Sequence, residues 1–230
     1  MLFRSQVYLP APGILGGSKE RARKDADELV KLDPAWGYLA LAEIAAREDQ
    51  KAQIPELYHK AHDAAPERPE TAQRWCSYLA TKRDWAPAEK CARDLSKANP
   101  ERAGAYSLLA FVYAAQQRWS DVDVLLATAE KMAPDNLIPY YQAGWTAVDF
   151  NDLPRAERYL RKYLSQEPEP GMPRLSRAHW RLAQALEKQG RKPEAVAELE
   201  AAVRLEPGLE GAEKDLKRLR QPGRGAAVAP

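Results

Sequence analysis

Prolines that follow helical runs recur at a nearly constant spacing, and this spacing constrains the fold of the chain most. They stand at Pro34, Pro66, Pro100, Pro134, Pro168 and Pro207. The successive gaps are 32, 34, 34, 34 and 39 residues. Proline lacks the amide hydrogen and disfavours helix in the residue before it, so each of these prolines ends a helical run. A sustained period near 34 residues is typical of helical-hairpin repeats.

The stretch 101–134 shows how one such unit is built. Apolar residues recur at helical spacing in its two halves, on either side of the polar pair Gln117 and Arg118. The two apolar stripes consist of Tyr106, Leu109, Ala110 and Tyr113, and of Val122, Leu125, Leu126 and Ala129. Ser120 is the predicted N-cap of the second helix, with Asp123 three residues later. The stretch predicts a helix–turn–helix hairpin whose apolar surface needs neighbours of its own kind.

Two blocks of residues return along the chain in this register. The first block returns as Tyr38, Leu41, Ala42, Ala45; Ala72, Trp75, Cys76, Leu79; Tyr106, Leu109, Ala110, Tyr113; Tyr140, Ala143, Gly144, Ala147; and His179, Leu182, Ala183, Leu186. The second block returns as Ala88, Ala92, Leu95; Val122, Leu126, Ala129; Ala156, Leu160, Tyr163; and Ala195, Leu199, Ala202. The third position of the first block is always small, which predicts a close approach of two helices there.

This pattern resembles the tetratricopeptide repeat family over about residues 18 to 207. The resemblance implies an all-α fold, a right-handed superhelical solenoid of antiparallel helix hairpins. About five full repeats are expected, together with a half repeat at the start and a C-terminal capping helix. Terminal units of such arrays need a polar outer face, which the stretch from Leu209 to Arg220 offers.

The predicted domain organisation has three parts. Residues 1–17 form an irregular N-terminal segment broken by prolines and glycines, residues 18–220 form the repeat domain, and residues 221–230 form a disordered tail. Ser18 is the predicted N-cap of the first helix. An inserted loop at residues 169–173 accounts for the 39-residue gap. Four further prolines are placed in the first turns of second helices, where a missing amide hydrogen costs little: Pro55, Pro87, Pro154 and Pro193.

Composition excludes several classes of function. A net charge of +2 gives no case for nucleic acid or for an anionic membrane surface. No apolar run approaches the roughly 20 residues that a membrane-spanning helix needs. The first twelve residues lack the uninterrupted apolar core of a signal peptide. The start is abrupt, however, because the first repeat supplies only its second helix. The sequence therefore predicts a cytoplasmic protein if Met1 is native, and an exported, periplasmic one if a leader has been removed.

The chain has two cysteines, Cys76 and Cys91, one on each helix of a single predicted hairpin. Two reduced thiols are the favoured interpretation, because a disulfide needs a specific geometry that spacing alone does not supply.

Signatures of catalysis are absent from the sequence. We find no glycine-rich phosphate-binding loop and no nucleophile elbow around serine. Glu56, His59 and His62 have a spacing that can bind metal in helix bundles, but no matching set exists for a facing helix. A solvated outer helix is the better interpretation of these three residues, and His179 is interpreted as a packed histidine. We predict no catalytic residue, no metal and no cofactor.

The resemblance also implies a binding surface, because first helices line the concave face in this family. The predicted partner-binding residues are Leu39, Glu43, Gln73, Ser77, Phe111, Tyr141, Trp145, Val148, Trp180 and Gln184. Ser107 shares their register, and Asp149, Arg177 and Arg181 lie near the edge. Aromatic residues are enriched where partners bind. One alternative interpretation is that these aromatic rings pack between neighbouring repeats. Another is that the apolar N-terminal segment folds back into the groove, which would make the site an intramolecular one.

Three functional hypotheses follow. The first is a non-catalytic interaction module or scaffold that binds a peptide or helical segment of another protein on the concave face. The register lacks the lysines and asparagines with which some family members hold a C-terminal carboxylate, so an apolar or helical ligand is favoured. The second is an assembly factor or complex subunit that self-associates through its uncapped N-terminal end as a homo-oligomer. The third, an enzyme or small-molecule binder, would need a deep polar pocket.

Overall fold

A computed structural model describes residues 19–166 and 174–221 of the 230-residue chain. The described residues form twelve helices and no strand. The helices are α1 (Lys19–Leu32), α2 (Pro34–Arg47), α3 (Ile54–Ala64), α4 (Pro69–Thr81), α5 (Trp85–Ala98), α6 (Ala103–Ala115), α7 (Trp119–Met132), α8 (Ile138–Asp149), α9 (Leu153–Leu164), α10 (Leu175–Lys188), α11 (Lys192–Leu205) and α12 (Glu210–Arg220). The predicted N-terminal segment, the Ser18 cap, the inserted loop 169–173 and the tail from 222 onward lie outside the described residues.

The chain divides into two compact units, Met1–Asn99 and Pro100–Pro230, which we call unit 1 and unit 2. In unit 1, α2 contacts α1, α3 and α4, and α4 contacts α5. In unit 2, α8 contacts α6, α9 and α10, while α10 contacts α11 and α11 contacts α12. The order is therefore one single helix, five hairpins and a terminal helix, which confirms the predicted all-α helical-repeat class. The limits 18 and 220 of the repeat domain stay predictions.

Every hairpin turns through one residue with a left-handed backbone. These residues are Asp49, Arg83, Gln117, Asn151 and Gly190, with φ of 59°, 60°, 57°, 60° and 79°. Their spacing follows the sequence period. Only the last is glycine, the residue that adopts this conformation without steric cost. The repeat geometry thus requires a left-handed backbone in each turn. In four of the five turns, a residue with a side chain adopts that conformation.

Small residues stand where helices approach closely, as the sequence predicted. Ala42, Cys76, Ala110 and Ala183 are at most 1% exposed. A Cβ atom added to Gly144 would lie 2.7 Å from Cγ of Leu160 on α9, closer than packed atoms come. A larger side chain at this register would push the two helices of the hairpin apart.

The starts of the second helices correct one local prediction. Pro55, Pro154 and Pro193 stand at the second helical position, and Pro87 is also in a first turn, as expected. The predicted Ser120 cap is wrong, because α7 already begins at Trp119 and Ser120 is its second residue. Arg118 precedes the helix without a side-chain cap, and its guanidinium hydrogen-bonds Asp121 instead.

The two units bury side chains of different size. In unit 1 the large buried aliphatic side chains are Leu29, Ile44 and Leu95, and most other buried positions are alanine. Unit 2 buries a continuous set of leucine, valine and tyrosine side chains, with Tyr159, Leu160 and Tyr163 each at most 2% exposed. Burial of apolar surface is the main stabilising contribution in a folded protein, so the two units differ in their source of stability.

The two cysteines form a disulfide, which contradicts the favoured interpretation of reduced thiols. Cys76 on α4 and Cys91 on α5 have Cα atoms 5.5 Å apart and are 15 residues apart in sequence. Neither is a free thiol. The antiparallel arrangement of α4 and α5 brings the two positions face to face, a pairing that spacing alone did not reveal.

Candidate functional site

Four predicted partner-binding residues lie in unit 1. Leu39 and Glu43 are half-buried on α2, and the Glu43 carboxylate accepts a hydrogen bond from Nε of Arg47 at 3.3 Å. On α4, Gln73 is exposed and Ser77 is half-buried. These side chains are accessible to a partner, and their role stays a prediction.

Phe111 and Trp145 occupy equivalent positions one repeat apart in unit 2. Phe111 is half-buried on α6, as is Ser107 one turn earlier. Trp145 is half-buried on α8, which contacts α6 directly. Each ring thus has a packed side and an accessible side, so both interpretations of the aromatic residues, packing and exposure, apply in part.

Tyr141 and Val148 lie deeper than a surface anchor would. Tyr141 is 8% exposed and Val148 is 2% exposed. The Tyr141 ring centroid lies 5.1 Å from that of Tyr163 on α9 and 5.7 Å from that of Trp145. Burial raises the pKa of the Tyr141 hydroxyl to about 12, against the opposing charges of Arg177 and Arg181. Tyr141 and Val148 therefore belong to the core of unit 2, and the Tyr141 ring packs against Trp145.

Arg181 of α10 also contacts Trp145. Its guanidinium carbon lies 3.8 Å from the centroid of the Trp145 ring, which is a stacked cation–π contact. The same group donates to the main-chain oxygen of Trp145 at 3.1 Å, to Oε1 of Gln184 at 2.7 Å and to the Asp149 carboxylate. The Arg181 side chain is only 10% exposed, whereas that of Asp149 is 55% exposed. Trp145 is therefore held in one orientation before any partner arrives.

The C-terminal helix covers Trp180. The Trp180 indole nitrogen donates to Oδ2 of Asp215 on α12 at 2.9 Å. A Cβ atom on Gly211 would lie 2.4 Å from the Trp180 ring, so glycine is what lets α12 approach this closely. Burial acts to raise the pKa of Asp215, but hydrogen bonds from Trp180, Arg218 and Gln184 outweigh it and lower that pKa. Trp180 thus anchors α12, and its place on the partner-binding surface stays a prediction.

Sequence reasoning placed Arg181 and Asp149 near the site but missed the contribution of α12. Gln184 hydrogen-bonds both Arg181 and Asp215, and Arg218 pairs with Asp215 and Glu187. A polar chain therefore runs from α8 through α10 to α12. The sequence spacing could have indicated this contact, because Trp180 and Asp215 are 35 residues apart, close to one repeat period.

Two of the three possible metal ligands of α3 pair with neighbouring side chains on the same helix. Glu56 accepts from Lys60 at 2.7 Å, and Nδ1 of His59 lies 3.0 Å from Asp63. His62 is half-buried, and its burial lowers its pKa. Within residues 19–166 and 174–221, no group of three or more histidine, cysteine, aspartate or glutamate side chains is arranged to hold a metal ion. His179 contacts Glu198 through Nδ1 at 2.6 Å and is partly buried.

Repeated hairpins, small residues at each close approach and a shared aromatic register define a class, the helical-hairpin repeat proteins. A model of the family described as tetratricopeptide repeat matches residues 141–210. No curated protein matches the chain. The family model therefore indicates tetratricopeptide repeats at residues 141–210, and the solved structures described next share the helical-repeat fold over most of the chain.

Several solved structures share the fold over most of the chain. TTC0263, a thermophilic TPR protein of Thermus thermophilus, is 19% identical with a TM-score of 0.63, covering 80% of this chain and 98% of its own. Yeast Tom70 is 19% identical with a TM-score of 0.69, covering 86% and 42%. PilW, a type IV pilus biogenesis factor, is 16% identical with a TM-score of 0.65, covering 93% and 97%. At these identities the likeness shows the fold alone.

The family and the fold assign a general role. Proteins built from these repeats generally serve as non-catalytic scaffolds for protein–protein interaction, and the implied partners are proteins. None of the described helices combines the length and the apolar character required to cross a lipid bilayer.

Proposed function

We propose that this protein is a non-catalytic interaction module that binds a peptide or helical segment of another protein on the concave face of its first helices. The observation that carries the proposal is Trp145, a half-buried indole that contacts both Tyr141 and Arg181. A rigid aromatic side chain loses little conformational entropy on binding, which makes it an efficient anchor.

The proposed surface in unit 2 has an exposed layer and a supporting layer. Phe111, Trp145 and Gln184 share one register on α6, α8 and α10 and form the exposed layer. Tyr141 and Val148 form the supporting layer, and Trp180 joins the surface to α12. Leu39, Glu43, Gln73 and Ser77 form the corresponding proposed surface of unit 1. An apolar segment, extended or helical, fits the exposed layer best.

The test is a selection of displayed random peptides against the wild-type protein alone, followed by measurement of the selected peptides on Trp145→Ala. Truncating a central aromatic anchor typically costs about 2 kcal/mol or more of binding free energy, which is roughly a thirtyfold weaker Kd. Selected peptides should therefore bind Trp145→Ala at least about thirtyfold more weakly. Fluorescence anisotropy of labelled peptides gives the affinities.

The matched control is Val124→Ala on α7, which removes a side chain that is 70% exposed on a second helix. This variant should bind the selected peptides as the wild type does. Equal binding by Trp145→Ala, with its helical circular dichroism unchanged, would rule out this surface. Tyr141→Ala is a poor test, because removing a buried aromatic side chain costs about 3 kcal/mol of folding stability or more.

The second candidate is an assembly factor that self-associates through its N-terminal end. The observation in its favour is the fold shared with PilW, a pilus biogenesis factor, along 97% of that chain. Against it, the exposed side chains of α1 are charged apart from Leu32. Sedimentation equilibrium tests this second candidate, because a monomer at high concentration excludes self-association.

The disulfide bears on where the protein works. Disulfides persist in oxidising compartments and are rare in reducing ones. The Cys76–Cys91 bond therefore favours the exported alternative of the two predicted locations. Alkylation of intact cells before lysis tests this, because an exported protein should be trapped with both cysteines oxidised.

A further inference from the structure

Unit 1 contains a groove that reaches the disulfide. The groove has a volume of about 740 Å³ and lies along α4 and α5. Its walls include Trp75, Leu79 and Leu95, and Cys91 forms part of the lining. A cleft of this size admits small organic molecules, so Cys91 is reachable from solvent.

The two cysteine residues of the disulfide differ in accessibility. Cys76 is 0% exposed, whereas Cys91 is partly exposed at the groove. Thiol–disulfide exchange requires a thiolate to reach one sulfur in line with the bond that breaks, so access decides which sulfur is attacked. The packing around Cys76 blocks that approach.

The fully buried core of the hairpin that carries the disulfide is small. Its buried positions are almost all small, and Leu95 is the large aliphatic residue among them. The buried residues of α4 and α5 are Thr71, Ala72, Cys76, Ala80, Ala88, Ala92 and Leu95. The covalent link therefore supplies much of what a larger apolar core would supply elsewhere.

We propose that Sγ of Cys91 is a site of thiol modification, at which small thiols open the disulfide. A thiolate attacks Sγ of Cys91, forms a mixed disulfide there and displaces Cys76 as a thiolate, which takes up a proton. A second thiolate of the reductant then attacks the sulfur of the reductant in the mixed disulfide and releases Cys91. The protein disulfide gains two electrons, and two thiols of the reductant become one disulfide.

Opening the bond releases the hairpin. The bond joins positions 15 residues apart, so breaking it restores the conformational freedom of that loop in the unfolded chain. For a loop of this length the unfolded population of the hairpin should rise by about a hundredfold. Reduction would thus loosen α4 and α5, together with the groove they form.

The decisive experiment traps the first intermediate in the wild-type protein. Protein purified without reductant is treated briefly with limiting glutathione, quenched with N-ethylmaleimide, digested and analysed by mass spectrometry. Glutathione should be found on Cys91, and maleimide on Cys76, with at least about a tenfold preference over the reverse assignment. Equal labelling, glutathione on Cys76, or two free thiols before treatment would overturn the proposal.

Two single variants provide an independent measure of access. Cys76→Ser leaves the Cys91 thiol, and Cys91→Ser leaves the Cys76 thiol. Iodoacetamide should label the first variant at least about tenfold faster than the second, and the difference should vanish in urea. Equal rates in two variants with native circular dichroism would contradict the proposed asymmetry. If a variant fails to fold, the trapping result on the wild type decides.

Hydrogen exchange tests the consequence for the fold. On reduction with dithiothreitol, amides of residues 69–98 should exchange about a hundredfold faster, while peptides of unit 2 serve as the internal control. The same treatment of the double variant Cys76→Ser/Cys91→Ser should change nothing. Unaltered exchange in the reduced wild type would show that the bond does not hold the hairpin.

Discussion

At the scale of single residues, the left-handed turns show how the repeat geometry overrides local preference. Asp49, Arg83, Gln117 and Asn151 adopt φ near 60° although each carries a side chain. Such a backbone costs roughly 1 kcal/mol for a residue other than glycine. Packing of the two helices that each turn joins compensates for this cost. The last hairpin avoids it by having glycine.

Gly190 permits a clean test of that cost. Its φ is 79°, and a Cβ atom added there would meet no atom within 4 Å, so only the backbone conformation opposes a side chain. Gly190→Ala should lower the free energy of unfolding by about 1 kcal/mol. Gly190→Asn should lower it less, because asparagine tolerates this conformation better. Urea denaturation followed by circular dichroism measures both, and equal losses would contradict this account.

Arg181 is the residue on which the candidate site most depends. A lysine cannot reproduce its planar stacking on Trp145 together with three differently directed hydrogen bonds. Arg181→Lys should therefore reduce the free energy of unfolding by about 1–2 kcal/mol and release the Trp145 ring. Arg177→Lys on the same helix, where the side chain is exposed, should change stability by less than about 0.5 kcal/mol. A similar effect of both changes would remove Arg181 from this role.

At the scale of helices, contacts between neighbouring repeats combine apolar packing with ordered polar pairs. Glu130 on α7 accepts hydrogen bonds from Tyr140 on α8 at 2.8 Å and from Lys162 on α9 at 2.5 Å. About two helical turns earlier on α7, Asp123 accepts from Tyr159 at 2.7 Å and from Arg158 at 2.5 Å. Burial and the Asp123 hydrogen bond raise the pKa of Tyr159 to about 12, so it stays a hydrogen-bond donor at neutral pH. The two parallel triads fix the register of α9 against α7.

The attachment of α12 should depend on pH through Asp215. Its folded-state pKa lies below the ordinary value of 3.8, so its contribution to stability is fully present above that value. The contribution is lost as pH falls through the lower, folded-state pKa. The indole proton of Trp180, followed by NMR, should therefore titrate with a midpoint below 3.8. A midpoint at or above that value would contradict the proposed hydrogen bonding.

Asp215→Asn separates charge from shape in the same experiment. The amide oxygen can still accept from Trp180, but the group no longer titrates. The Trp180 indole signal should keep its folded position and lose its dependence on pH in this range. Because the side chain of Asp215 is only 22% exposed, the variant should also weaken the attachment of α12 at neutral pH.

Particular residues show which features of the fold and the candidate site could be predicted from the sequence. The prolines and the small residues Ala110 and Gly144 predicted hairpins correctly, because both features act locally and repeat. The burial of Tyr141 and the contact of Trp180 with α12 were not predictable in the same way. Helical periodicity places a residue on a face, whereas its depth depends on how far the neighbouring helix extends. The disulfide was missed for a related reason, since the pairing depends on the rotation of α4 against α5.

At the scale of the whole molecule, the two units should differ in stability. Large buried side chains are few in unit 1, where alanines dominate, and numerous in unit 2. A buried leucine contributes about 1.5–3 kcal/mol relative to an exposed one, and alanine contributes much less. The stability of a repeat array is approximately the sum of contributions from its units and their interfaces. A unit with a smaller buried core should therefore be less stable than its neighbour.

We therefore expect unit 1 to open before unit 2 as urea is added. Hydrogen exchange followed by mass spectrometry resolves the two, because peptides from residues 19–99 and from residues 100–166 and 174–221 report separately. With the disulfide intact, unit 1 peptides should lose protection at a lower urea concentration than unit 2 peptides. Reduction of the disulfide should increase the difference between these two urea concentrations. Leu199→Ala, which empties a fully buried position of α11, should lower the free energy of unfolding of unit 2 by about 2–5 kcal/mol. Loss of protection at one urea concentration throughout, in wild type and variant alike, would show that side-chain burial within each unit does not determine where the chain opens first.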